Sequence, residues 1–396
     1  MSSQPNAQRQ VYLDHSATTP VRPEVLAAML PYFAGKFGNA SSVHRWGYAA
    51  REAINDAREK VASLIEASPN EIIFTSGGTE ADNLAIRGIA HARKSKGNHL
   101  ITSQIEHHAV LHTFEALQKE GFEVTFVPCD KYGLIDPDDV RRAIRKDTIL
   151  VSIMHGQNEV GTVEPIKQIG EIAREHGVLF HTDAVQSAGK IPIDVKDMNV
   201  DLLTLSSHKI YGPKGVGALY VRRGVRLTPQ VTGGAHERMR RAGTENVPGI
   251  IGFGEASRLA KAELPEEAER LSKLRDKLIE GLLREIPDVV LNGHPVLRLP
   301  HNVNVSVKYL EGESILLNLD RMGVAASSGS ACTSGSLEPS HVLLAMGLSH
   351  ETAHGSLRFS LGMSNTEEDV DYVLEILPPI VGKLRAMSPL GPGSGL

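Results

Sequence analysis

Three short segments place chemically capable residues where an enzyme could use them. Thr75-Ser-Gly-Gly-Thr-Glu80 reads as a strand end, a pair of glycines and a helix start, with Thr79 near the N-cap. Free backbone N–H groups and the helix dipole at such a turn favour a phosphate group. By itself the segment reads equally well as an ordinary glycine turn with a capping threonine. His181-Thr-Asp-Ala-Val-Gln186 follows an apolar strand and sets Asp183 at its carboxyl end. A carboxylate there can pair with a protonated ring nitrogen, and capping the next turn is its plain alternative. Leu205-Ser-Ser-His-Lys-Ile-Tyr-Gly-Pro213 sets Lys209 after another apolar strand. A lysine in such surroundings can lower its pKa and form a Schiff base with an aldehyde. Taken singly, a lysine at a strand end is ordinarily solvated.

The combination carries more than its parts. Asp183 and Lys209 are one strand–crossover–strand unit apart, and the glycine turn lies upstream on the same sheet edge. An acid for a pyridine nitrogen, a lysine for an aldehyde and a phosphate turn are the protein parts of a pyridoxal-phosphate site. A fourth segment, Ala326 to Val342, sets Cys332 among serines, glycines and a threonine. That polarity argues for an exposed thiol. Cys129, after the apolar strand Val124 to Val127, reads as buried and inert.

These residues need a scaffold. From about residue 50 to 220, helical patterns alternate with short apolar runs. Helices are predicted at Ala49 to Ile65, Glu80 to Lys94, Ala109 to Glu120 and Ile166 to His176. Strands are predicted at Glu71 to Thr75, His99 to Thr102, Glu123 to Val127, Thr148 to Met154, Val178 to Thr182, Leu202 to Ser206 and Gly217 to Val221. This alternation implies an α/β fold, a mostly parallel sheet covered by helices on both faces. Ligands of such sheets sit at the carboxyl ends of the strands. A charged helical stretch from 263 to 285 marks a change of architecture. The reading is a large domain over 16–262, and a smaller α+β domain made of 1–15 and 263–396 that carries the cysteine loop at about 326–340.

Bulk properties exclude other classes. The 396 residues suffice for a full core without disulfides or metals. With 42 basic against 47 acidic residues, the net charge of -5 calls for neither nucleic acid nor an anionic membrane. Arg238-Met-Arg-Arg241 is thin support for nucleic acid and fits better beside a phosphate or substrate. Two cysteines make no disulfide framework and point to a reducing, cytoplasmic setting. The polar N-terminus lacks the apolar stretch of a signal peptide, and no apolar run is long enough to span a bilayer.

On these motifs the chain resembles the cysteine desulfurases, fold-type I pyridoxal-phosphate enzymes of the NifS and IscS type. The resemblance runs from Val11-Tyr-Leu-Asp14, with Ala17-Thr-Thr-Pro20 behind it, to Arg385-Ala-Met-Ser-Pro389, nearly the whole chain. It implies that Lys209 holds the cofactor and Asp183 meets its ring nitrogen. His107, in Glu106-His-His-Ala-Val110, is then the histidine stacked on the ring. Asn158 contacts cofactor and substrate, and Gln186 the ring hydroxyl. Gly78, Thr79, Ser206 and His208 hold the phosphate, joined by Thr244 from the neighbouring subunit of a homodimer. Arg358 binds the substrate carboxylate; without the resemblance it reads as a salt-bridge residue. The stretch around Cys332 resembles the catalytic loop of the long-loop class. The implied reaction converts L-cysteine to L-alanine, leaves sulfur as a persulfide on Cys332, and passes it to an acceptor such as an iron–sulfur scaffold. Lys209, Cys332 and His107 are the implied catalytic residues. No resident metal is implied, and transient ligation of an iron–sulfur cluster by Cys332 stays open. His108 and His112 stand at helical spacing but lack a third ligand motif nearby, so a solvated helix face is the better reading. A selenocysteine lyase or a related aminotransferase is the alternative with the same fold and cofactor.

Overall fold

The computed structural model describes residues 9–328 and 339–387. Its centre is a seven-stranded sheet in the order Ile72–Thr75, Gly217–Val221, Leu202–Ser206, Leu179–Asp183, Thr148–Ser152, His99–Ser103 and Glu123–Val127. The last five run parallel. Gly217–Val221 is antiparallel to both its neighbours. The central strands are buried along their whole length. Burial on both faces is why apolar residues fall at consecutive positions, as in Ile149-Leu-Val151 and Leu202-Leu203, rather than alternating. The mostly parallel sheet flanked by helices matches the architecture expected from the sequence, with boundaries shifted by a few residues.

One shift matters for the site. The helix over Gly78–Arg93 begins two residues before its predicted start, with Gly77 as its N-cap. Thr79 therefore lies inside the first turn, so its own N–H is one of the free amides. Gly77 takes φ 156° and ψ -178°, a conformation reached almost only by glycine. That turn lets the chain leave the strand Ile72–Thr75 and start the helix with its amides facing the sheet edge.

A second, antiparallel sheet has the order Ser356–Ser360, Asn302–Val307, Val289–Leu291. Val11–Tyr12 pairs in parallel with Val324–Ala325 beside it. The 39-residue helix Val247–Glu285 joins the two regions, with Pro265 inside it. At 1.5 Å per residue it is about 58 Å long. The apolar side chains form separate buried clusters. Val11, Leu13 and residues between Leu271 and Val381 enclose the smaller sheet, while others line the two faces of the larger one. Val342, Leu343 and Met346 pack with the larger sheet, although they follow the cysteine segment in sequence.

Candidate active site

The functional side chains gather at the carboxyl edge of the large sheet. The strand Leu179–Asp183 ends on Asp183, and the strand Leu202–Ser206 runs into a short 3-10 turn ending on Lys209. Asp183 is 6 % exposed, and one of its oxygens accepts the N–H of Val185 at 2.9 Å. Burial raises its carboxyl to about 6, against the Val185 N–H and the positive Lys209, which hold it down. Lys209 Nζ donates to the carbonyls of Ser16 at 2.5 Å and Ala17 at 2.8 Å. Gln186, also buried, donates through Nε2 to the same Ser16 carbonyl at 2.9 Å.

His107 caps the helix His108–Lys119, its Nδ1 accepting the N–H of Ala109 at 3.1 Å. That bond leaves the ring proton of the neutral form on Nε2. Burial, then the nearby Lys209 charge and the flanking histidines, lower its pKa to about 4. His107 is therefore a neutral ring at pH 7. His108 stacks on His112 at 4.8 Å and lies 4.8 Å from His341, so part of the expected solvated face is covered. Among the described residues, no group of three metal-ligating side chains is placed to hold an ion.

Thr79, Ser206 and His208 line one cavity of about 360 Å³ with Gly77, Gly78, Lys214 and Thr18. His208 Nδ1 meets the Thr18 hydroxyl at 3.1 Å, and burial lowers its pKa to about 4, so it too is neutral. Glu80 faces the same cavity but is drawn aside by Arg241 at 2.8 Å and by the Ser76 hydroxyl at 2.5 Å. Thr244 is exposed and lines a different cavity with Phe74, Ser76 and Arg241, not the cradle of its own chain.

Arg358 lies on the strand Ser356–Ser360 with its side chain 4 % exposed. Nη1 donates to the Asn158 carbonyl at 2.9 Å and Nη2 to Asp14 at 3.1 Å. Arg358 Nε and Asn158 Oδ1 are buried and have no hydrogen-bond partner among the described residues. Cys332 lies outside the described residues. The described residues on either side of it are tied to this corner. Ser327 exchanges backbone bonds of 3.1 and 2.6 Å with Arg358, and the Ser340 hydroxyl donates to Glu159 at 2.5 Å.

Sequence reasoning gave no role to the wall of the site. Asp14, Ser16, Ala17 and Thr18 come from the N-terminal segment and touch Arg358, Lys209, Gln186 and His208. The only signal was that this segment belongs to the recognisable Val11 to Pro20 motif. Asp82 and Glu106 form a buried acidic layer behind Asp183. Burial, and then the charge of Asp183, push the Asp82 carboxyl well up. The histidine beside it, His181, is pushed down to about 3 by burial. Asp82 is three residues after Thr79, on the helix face turned to the sheet, which is the one clue the sequence offered.

Glu106 gives a pH prediction. Its Oε1 accepts the Ser103 hydroxyl at 2.6 Å and the Met154 N–H at 3.0 Å, while Oε2 is buried without a hydrogen-bond partner among the described residues. Burial raises its pKa from 4.5 to about 8 against those two bonds. A group bound more tightly to its proton when folded stabilises fully below its unfolded pKa. That stability is lost as pH rises towards the folded value. Glu106→Gln should therefore flatten the fall of melting temperature between pH 4.5 and about 8. Calorimetric scans across that range check it, and an unchanged slope would mean that Glu106 is ionised in the fold.

Comparison with known proteins identifies the family. The sequence family described as Aminotransferase class-V matches residues 11–373. A cysteine desulfurase IscS of Methanosarcina thermophila is 62% identical over 97% of this chain and 95% of its own length. A cysteine desulfurase IscS of Clostridium botulinum is 57% identical over 96% of this chain and 97% of its own. Among solved structures, a NifS-like protein superposes with a TM-score of 0.89 at 39% identity, covering 95% of this chain and 100% of its own. A structure described as SspA in complex with cysteine gives 0.80 at 41% identity, over 89% and 99%. The chain belongs to the class-V aminotransferase family, whose members work with pyridoxal 5'-phosphate. Within that family it is a pyridoxal-phosphate-dependent cysteine desulfurase.

The residues present fit that cofactor. Asp183 offers a buried, partly ionised carboxyl to the ring nitrogen, and the neutral His107 can lie against the ring. Lys209 sits at the strand end for the aldehyde. The cradle of helix amides, Thr79, Ser206 and His208 suits the phosphate. The orphaned Asn158 Oδ1 and Arg358 Nε supply unused polar atoms on the substrate side.

Proposed function

We propose that this site takes sulfur from L-cysteine and holds it as a persulfide on Cys332. The observation that carries the reading is the convergence of Asp183, Lys209 and the phosphate cradle on one sheet edge, opposite the paired Arg358 and Asn158. When bound, pyridoxal phosphate supplies the electron sink that makes the substrate Cα–H acidic. The chain's residues do the rest. Arg358 binds the α-carboxylate through a fixed fork, and Asn158 orients it. The Lys209 amine would take the Cα proton and later return one. Asp183 holds the ring-nitrogen proton. His107, neutral at working pH, moves the proton at sulfur. The Cys332 thiolate attacks the substrate sulfur; its new S–S bond forms as the Cβ–S bond breaks. The electron pair and a proton end on carbon, and alanine leaves.

The same reading makes the enzyme a homodimer, with Thr244 of one subunit reaching the phosphate of the other. Exposed Phe33, Phe37, Trp46 and Tyr48 lie close in sequence around the first helices, an apolar surface suited to a partner. The chain divides into a large cofactor domain over 16–262 and a small domain of 1–15 and 263–396. An acceptor protein, in iron–sulfur cluster assembly, takes the persulfide sulfur. A reducing cytoplasm keeps the thiol available; among the described residues no helix is long and apolar enough to cross a membrane.

The test is to incubate purified enzyme with L-cysteine and quantify alanine and protein-bound sulfane sulfur together. The expected result is equal amounts of alanine and transferred sulfur without a keto acid. Turnover that needs a keto-acid acceptor would identify an aminotransferase instead. Sedimentation at equilibrium should give twice the chain mass.

A further inference from the structure

Asp14 stands in the active-site wall without a part in the reaction described above. Its carboxylate accepts Nη2 of Arg358 at 3.1 Å, and among the described residues it is the single acid paired with that guanidinium. The Arg358 side chain is 4 % exposed and that of Asp14 20 %. The pair is held by rigid surroundings. Leu13 N–H donates to Ala325 at 2.8 Å, Ser360 N–H to Leu13 at 2.7 Å, and His15 N–H to Ser360 at 3.2 Å. The Asp14 segment is thus laced directly to the strand that carries Arg358.

Two effects of Asp14 oppose each other. Its negative charge lowers the attraction of Arg358 for any carboxylate. Its hydrogen bond fixes the plane of the fork, with Nη1 on the Asn158 carbonyl and the buried Nε unpartnered. A buried guanidinium without an anion would seek another. The near candidate is Glu159, whose carboxyl burial raises and whose neighbour Arg358 pulls back down. Glu159 is 3 % exposed and already takes the Ser340 hydroxyl, so capture of Arg358 there would turn the fork away from substrate. Orientation of a bidentate fork outweighs a screened repulsion from a partly exposed carboxylate.

We propose that Asp14 is a positioning residue for the substrate: it holds the Arg358 fork so that the α-carboxylate of an amino acid meets the guanidinium in one fixed plane. This rests on the reading of Arg358 as the carboxylate ligand. The role explains why a residue so far from the strand Ser356–Ser360 in sequence is bonded to it in space.

The experiment uses the cofactor-loaded dimer and four variants. Asp14→Ala, which removes the acceptor that aligns the fork, should raise KM for L-cysteine about tenfold with kcat changed less than about threefold. Binding of L-alanine, followed by the change in visible absorbance, should weaken by the same factor. The dissociation constant for pyridoxal phosphate should not move. Asp14→Glu should recover part of the loss, which separates alignment from simple unfolding. In an Arg358→Lys background, Asp14→Ala should add nothing further. An unchanged or lowered KM in Asp14→Ala would overturn the proposal, as would full additivity with Arg358→Lys. If Arg358→Lys alone leaves KM unchanged, the carboxylate reading of Arg358 falls and takes this one with it. If Arg358→Lys raises KM and Asp14→Ala does not, only the role of Asp14 falls.

Discussion

Cys332→Ala should lower conversion of L-cysteine to alanine by about 10³-fold or more while leaving the visible absorbance of the bound cofactor in place. The reasoning is chemical. A carbon–sulfur bond must break with sulfur leaving to a nucleophile, and the best protein nucleophile for sulfur is a thiolate. The chain has one other thiol, Cys129. Burial, and then the nearby Glu164 and Asp130, push that thiol up to about 12, so it is protonated and cannot stand in. Cys332→Ser should fail as fully, because a hydroxyl is not ionised near neutral pH. The assay is alanine formation under saturating cysteine with the absorbance recorded on the same sample. Full turnover without Cys332 would remove it from the mechanism.

Different parts of this enzyme were legible to different degrees, for physical reasons. The strands are readable because a parallel sheet buried on both faces sets apolar residues at consecutive positions, and Leu202 to Ser206 matches its predicted bounds to the residue. Asp183, Lys209 and Thr79 were legible because strand ends and helix starts are local events that sequence marks. Helices over Pro23–Met29 and Pro137–Ala143 were not predicted; each is only seven residues long and offers too few turns for a clear period. The acidic layer was hidden for another reason. Asp82 and Glu106 look like ordinary helix and turn acids until the sheet behind them excludes water. The contacts of Asp14 with Arg358 and of Ser16 with Lys209 join residues hundreds of positions apart, and no local pattern encodes them. The role of Cys332 rests on the composition of its segment and on resemblance, and Cys332 lies outside the described residues, so chemistry rather than geometry tests it.

Lys209→Ala should abolish both covalent retention of the cofactor and turnover, the latter by about 10³-fold or more. Three contributions converge on this one amine. In the proposed mechanism it is the aldehyde's partner and the base at Cα, and its charge helps hold Asp183 ionised against burial. Its Nζ donates to the carbonyls of Ser16 and Ala17, so the N-terminal wall holds the amine at the sheet edge. Lys209→Arg keeps the positive charge but cannot act as a nucleophile or base near neutrality. It therefore separates the electrostatic contribution from the chemical ones. Both variants should release the cofactor on gel filtration, detected by absorbance of the small-molecule fraction. Lys209→Arg should keep the melting temperature closer to that of the parent, because the carbonyls of Ser16 and Ala17 and the Asp183 carboxylate retain a cation. If Lys209→Arg retained the cofactor covalently, another amine would have to carry it. Lys190 is the alternative to examine, since burial lowers its pKa to about 8. Its ammonium rests over the Tyr211 ring at 4.9 Å, and with Tyr211, Arg22 and Glu263 it lines a pocket distinct from the phosphate cradle. Retention by Lys190 would need that lysine to leave its ring and turn towards the strand end, where Lys209 already sits.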